Sequence, residues 1–340
     1  MRNRDLRDSA TPGDRCTGAF AVETFESVSR CLKAAGGGLE CPAPFTQPSW
    51  MQAWQEAFAP QASLWIRSYR PEARPVGIAA LRLEGATARL IGDPDVCDHL
   101  DLVCAADRRE EFCSALLDRL KDCGIERLEL NPLRPDSLVM EALVPAARAR
   151  GCGVSIAEEN VLFELSLPGS WEDYLERLSG KQRHEVRRKL RRLENGAAAA
   201  FRLVQEPAAP GTAVNDFLRL FRRNRQDKAV FMDDRMQAYF RLLAERVPGT
   251  CLGFLDVDGK PAAAVWCCDH GGSRYLYNSG YDARLRHLSV GILCKILSIR
   301  DAIARGLGAF DFLKGDEIYK RQLGGRPVPI YSCQIDFKGP

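Results

Sequence analysis

The sequence predicts an α/β (α+β) protein built from two copies of one unit, each a run of strands, a helix and a further strand. Three observations carry this reading. Strand-like segments recur in the same order in both halves. In each half a helix-like run ends in glycine and leads into a strand: Cys123-Gly124-Ile125-Glu126-Arg127-Leu128-Glu129-Leu130 and Arg305-Gly306-Leu307-Gly308-Ala309-Phe310-Asp311-Phe312. A chain of 340 residues also has the length of two ordinary domains.

Taken in order, residues 1–44 read as a polar, partly disordered tail with one short helix around Glu23–Ala35, ending in Cys41-Pro42-Ala43-Pro44. The folded part is expected from Phe45, with a first domain over 45–168 and a second over 169–340. In the first domain the strands are Ser63–Tyr69, Val76–Leu83 and Ala88–Ile91. The helix is Arg109–Cys123 and the closing strand Glu126–Leu130. Their counterparts in the second are Cys251–Val257, Ala262–Cys268, Arg274–Asn278, helix Leu288–Arg305 and strand Ala309–Leu313. Alternation and β-branched or aromatic content support the strands. Glycine after each helix supplies a left-handed cap. In the second helix Leu288, Ile292, Ile296, Ile299 and Ile303 recur every three or four residues, one apolar stripe for packing on a sheet.

Between the halves, Ser170-x-x-Asp173 and Ser179-x-x-Gln182 are helix-start signals, so a short helix, a break near Gly180 and a second helix are expected. The second helix is unusual. Lys181 to Arg192 holds seven basic side chains and one acidic one, in a chain whose net charge is only +3. Val186, Leu190 and Leu193 share one side, with Arg183, Arg187, Arg188 and Arg191 elsewhere. A solvated helix lying on the protein by its apolar side accounts for this pattern. So do a surface for a polyanion such as RNA or a phosphorylated ligand, and the positioning of neighbouring acidic loops.

The bulk numbers exclude several classes. The near-balance of charge argues against coating nucleic acid by bulk attraction. No stretch of about 20 apolar residues offers a membrane span, and the charged start is no secretory signal. The thirteen cysteines are odd in number and lack any CxxC pair, so reduced core thiols, a cytoplasmic location and no metal site are expected. GxxxxGK[ST] and GxSxG are absent.

The polar residues richest in chemical possibilities lie between Tyr275 and Gly325. Arg286-x-x-Ser289-x-Gly291 puts a guanidinium, a hydroxyl and an open backbone at a helix start, where unpaired N–H groups and the helix dipole favour phosphate. Ser289 reads equally as a plain N-cap. Asp311, between Phe310 and Phe312, gives its strand one polar side. Asp316, Glu317, Tyr319 and Lys320 follow at the strand's end. Trp266, Tyr277, Asn278 and Tyr281 are candidates for an acceptor cleft, or are core aromatics and a turn.

Five stretches carry a family resemblance: Phe45-Thr46-Gln47-Pro48-Ser49-Trp50, Asp98-His99-Leu100-Asp101-Leu102, Tyr277-Asn278-Ser279-Gly280-Tyr281-Asp282, Ser289-Val290-Gly291 and Asp311-Phe312-Leu313-Lys314-Gly315-Asp316-Glu317-x-Tyr319-Lys320. They resemble the GNAT acyltransferase superfamily, in particular its tandem-domain branch associated with cellulose and exopolysaccharide biosynthesis, related to the Fem-type aminoacyl transferases. The resemblance implies two tandem GNAT-like domains, each a mixed, mostly antiparallel sheet flanked by helices, the first a degenerate copy. It implies an acyl-CoA donor, acetyl-CoA above all, and an N- or O-acyltransferase reaction on a small molecule or sugar precursor. Arg286, Leu288, Ser289, Val290 and Gly291 would then hold the pyrophosphate, with Ser289 where the family has glycine. Tyr319 would protonate the leaving thiolate. Asp316 and Glu317 would be bases or acceptor-binding groups, and Lys320 is similar to a lysine of Fem-type enzymes. Trp266, Tyr277, Asn278, Tyr281 and Asp311 would face the acceptor. The alternatives are an aminoacyl-tRNA donor, engaged through Lys181–Arg192, and a non-catalytic binding module in an assembly.

Overall fold

A computed structural model describes residues 19–35, 38–39, 41–196, 198–205, 212–224 and 232–338. Its first half runs β1 (Phe20–Val22), α1 (Phe25–Ala34), α2 (Pro48–Phe58), β2 (Ser63–Tyr69), β3 (Gly77–Glu84), β4 (Thr87–Leu90), β5 (Val103–Cys104), α3 (Arg109–Asp122), β6 (Arg127–Leu133), α4 (Val144–Ala149) and β7 (Gly153–Ser166). Two linking helices follow, α5 (Trp171–Arg177) and α6 (Gly180–Gly196). The second half runs β8 (Ala199–Gln205), α7 (Thr212–Asn224), α8 (Asp234–Arg246), β9 (Thr250–Val257), β10 (Lys260–His270), β11 (Ser273–Tyr281), α9 (Val290–Ala304), β12 (Ala309–Lys314), α10 (Ile318–Gln322) and β13 (Arg326–Asp336).

The duplication is therefore deeper than the sequence pattern suggests. Strand–helix–helix–strand opens both halves, β1-α1-α2-β2 in one and β8-α7-α8-β9 in the other. The expected helix in the tail is α1, started by a reciprocal cap between Thr24 and Ser27. Residues 19–44 are otherwise not a tail. Phe20 pairs with Tyr69 along β2, and Val28, Cys31, Leu39 and Ala43 are buried, so the folded part includes Ala19 onward. Residues 1–18 lie outside the described residues.

The halves also share a single sheet, ordered β1-β2-β3-β4-β6-β13-β7-β12-β11-β10-β9-β8. Each half lends its last strand to the other: β13 pairs antiparallel with β6, and β7 pairs antiparallel with β12. The two lent strands pair with each other along their length, from Arg326↔Glu164 to Asp336↔Gly153. A division of the chain at residue 168 therefore does not separate two packed bodies.

Strand β10 is apolar without alternation because it is covered on both faces. Ala264, Trp266 and Cys268 join a core with α2, α7 and α8; Val265 and Cys267 join one with α5, α6 and α9. Helix α7 crosses β11 so closely that a Cβ on Gly280 would lie 2.5 Å from the backbone of Phe221. Backbone cannot swing aside as a side chain can. Gly280→Ala is expected to cost about 1–3 kcal/mol, measured by urea denaturation.

Candidate active site

Strands β11 and β12 run parallel and pair only at Ser273↔Ala309, Arg274↔Phe310 and Tyr275↔Asp311. Beyond these pairs they part, since β12 takes β7 as its other neighbour and a bulge between Asp311 and Leu313 turns it. Helix α9 begins beside the gap. A cavity of about 410 Å³ lies there, its wall formed by Ser279 and Tyr281 of β11, Arg286, the Ser289–Ile292 loop and helix start, Lys295 of α9, and Glu317 and Tyr319 after β12. Residues forty positions apart in the chain thus meet at one opening.

The helix start has an uncommon backbone. Ser289 is left-handed, at φ 60° and ψ 30°, a conformation that costs a non-glycine residue about 1–2 kcal/mol. Its side chain makes no cap hydrogen bond to the helix. Instead Lys189, reaching from α6, donates to the Ser289 hydroxyl at 3.3 Å. Val290 and Gly291 are the first residues of the helix, whose geometry leaves their N–H groups without helical acceptors. Gly291 also admits the ring of Tyr281, since a Cβ there would meet it at 2.8 Å. Leu288, expected in the donor loop, is half-buried and packs into the core beneath α9. The helix itself starts two residues later than its apolar stripe suggests.

Across the cavity, Tyr319 stands edge-on to Phe312 at 6.2 Å, with the Lys295 ammonium 4.8 Å from its ring centre. Burial pushes its phenol well above the ordinary value, so the proton stays on the oxygen at neutral pH. Lys295 is buried and also donates to the Gly291 carbonyl at 3.3 Å. Sequence reading missed it because the apolar stripe of α9 drew attention to its neighbours. Its spacing from Gly291 was the available signal, because a helical side chain leans back over the preceding turn. Ser279, which carries no predicted role, also lines the cavity.

Other expected site residues lie elsewhere. Lys320 is 1% exposed and faces inward. Its ammonium donates to the carbonyls of Leu313, Lys314 and Gly315 at 2.8, 2.7 and 2.9 Å and pairs with Glu317 at 2.9 Å. It ties down the turn that carries Tyr319. Asp316 is exposed, away from the cavity wall, and pairs with Arg321 at 2.8 Å. Glu317 is the one acidic side chain among the cavity's lining residues.

The expected acceptor cleft is largely core. Trp266 is fully buried, with Phe240 and Phe217 edge-on at 4.8 and 5.2 Å. Tyr277 donates to the Val96 carbonyl at 3.0 Å and meets Trp50 edge-on at 5.1 Å. Asn278 lies opposite Trp266 in the β10–β11 ladder, outside the cavity wall. Of this group Tyr281 alone lines the cavity, beside the donor-type loop.

Asp311 points away from the cavity into the junction between the halves. The Leu313 N–H donates to one carboxyl oxygen at 2.7 Å; the other is 3.8 Å from His99 Nε2. Burial pushes Asp311 up to about 8 and His99 down to about 3, so both are neutral near pH 7. A raised carboxyl favours the folded state most when protonated. Its contribution is complete below about pH 4 and is lost as pH rises through about 8. Urea denaturation should show a smaller fall in stability over that window in Asp311→Asn than in the native protein.

Comparison with known proteins agrees with this geometry. Residues 180–321 match the acetyltransferase (GNAT) domain family. That segment is similar to a GNAT acetyltransferase domain. The matched segment opens at the basic helix α6 and closes just after Tyr319, so it takes in the whole cavity wall. Solved structures share the fold over both halves at low identity. FemX is 10% identical, with a TM-score of 0.63 over 92% of this chain and 96% of its own. A conserved protein of unknown function from Bacteroides thetaiotaomicron is 10% identical, with a TM-score of 0.61 over 93% and 99%. L-PGS from Bacillus licheniformis is 11% identical, with a TM-score of 0.54 over 85% and 90%. No curated protein matches the chain in sequence. No described helix is long and apolar enough to cross a membrane.

Proposed function

We propose that the cavity binds an acyl-CoA, acetyl-CoA being the simplest, and that the protein transfers its acyl group to an amine or hydroxyl of a small-molecule or sugar acceptor. The carrying observation is the meeting, in one cavity, of Arg286 and the Ser289–Gly291 helix start with Tyr319 and Glu317. The donor brings a thioester, whose carbonyl is the centre attacked. Arg286 and the open N–H groups at the start of α9 suit a diphosphate. Glu317 is placed to take a proton from the acceptor, and Tyr319, protonated at neutral pH, to give one to the leaving thiolate. Calorimetry should find saturable CoA binding, weakened roughly tenfold in Arg286→Ala, the loss of one charged contact. Absence of binding at millimolar CoA would sink the reading.

One observation favours a second reading, in which the donor is an aminoacyl-tRNA. Helix α6 exposes Arg187, Arg188, Arg191 and Arg192. A groove of about 570 Å³ beside it is lined by Arg183, Arg187, Arg191 and Arg300 with Trp171, and by no acid. This reading requires salt-dependent tRNA binding that falls when these arginines are neutralised; no binding at low salt rejects it.

A further inference from the structure

Helix α6 has two working sides. The arginine side faces the groove and solvent. The other brings Lys189 to the loop that starts α9, a hundred residues further along the chain. Its ammonium is 2.8 Å from Glu185 and 3.3 Å from the Ser289 hydroxyl. An ammonium has three N–H donors, so these contacts leave one over. A hydroxyl has one proton to give and two lone pairs to receive. With Lys189 donating to its oxygen, Ser289 keeps its own proton for another acceptor. The hydroxyl does nothing for its own helix, because it makes no cap bond. Its backbone sits in the region that glycine would occupy at no cost. Two further cations approach the same loop, Arg286 just before it and Lys295 from the following turn. The nearby acids already have partners: Glu185 lies on Lys189 and Arg188, and Glu317 on Lys320.

We infer that Lys189 and the Ser289 hydroxyl form a phosphate contact in the donor site, aimed at the diphosphate of CoA. This rests on the acyl-CoA reading above and adds a residue from outside the loop. A Cβ at Ser289 holds phosphate away from the backbone there; the hydroxyl spans the added distance, and the ammonium behind it supplies the charge. The basic helix is on this account one wall of the donor site.

Calorimetric titration of the full chain with CoA and with 3′-dephospho-CoA tests the inference. Lys189→Met should weaken CoA binding roughly tenfold, as loss of one charged contact does. Its salt dependence should be shallower than that of the native protein. The same loss with 3′-dephospho-CoA assigns the contact to the diphosphate; its disappearance there would overturn that assignment. Ser289→Gly separates the two views of the serine. A serine that is only a strained substitute for glycine binds CoA as well or better once replaced; a serine that is a ligand binds it worse. Unchanged affinity in both variants, against a native protein that binds CoA, overturns this inference alone. A native protein that binds no CoA overturns the acyl-CoA reading with it. Circular dichroism melts of both variants confirm that the fold is retained.

Discussion

Tyr319→Phe is expected to slow acyl transfer by about 10²–10⁴-fold, the range for losing a positioned proton donor, and to leave CoA affinity within about twofold. The substitution removes one oxygen. The ring keeps its edge-on contact with Phe312 and its place beneath Lys295, so the cavity wall is preserved. Stopped-flow release of thiol, with acceptor present, measures the rate; calorimetry measures the affinity. A variant with unchanged turnover would remove Tyr319 from the proton path and leave Tyr281, Lys295 and Glu317 as the lining side chains able to carry the proton.

The largest loss of stability is expected from Lys320→Met, about 3–5 kcal/mol, because three backbone carbonyls of the turn lose their donor together. Three carbonyl groups and Glu317 converge on this ammonium. Methionine fills the space and satisfies none of them. Urea denaturation should register the loss, and activity should fall with it because the turn positions Tyr319. A variant with native stability and no activity would reverse the assignment, and would return Lys320 to the chemical role suggested by its likeness to Fem-type enzymes.

The local elements were legible because their causes are local. Strand β2 spans Ser63–Tyr69, the range its residue pattern predicts, and the break between α5 and α6 follows from Ser179 and Gln182, whose side chains cap each other's backbone N–H groups. The exchange of β7 and β13 was not legible, since periodicity tells which face of a strand is buried and not which strand lies beside it. The same limit explains the misplaced site residues. Trp266 and Tyr277 look the same in sequence whether they line a cleft or pack in the core, Trp266 on Phe240 and Tyr277 on Trp50 across the junction of the halves. Lys320 is similar in sequence to a lysine of Fem-type enzymes, but the bulge at Asp311–Leu313 and the turn after it decide which way its ammonium points. Ser289, Glu317 and Tyr319 come together because a helix start and a strand end lie side by side where the sheet splits.

The exchange of final strands also sets a timetable. During synthesis the first half emerges with β6 and β7 lacking the strand that lies between them, and that strand is not complete until residue 336 has left the ribosome. Until then two edges at the centre of the future sheet are open to pairing with other chains. The slow event in making this protein is expected to be the insertion of β13, and interruption of synthesis shortly before Arg326 should yield a product that aggregates rather than a smaller working domain.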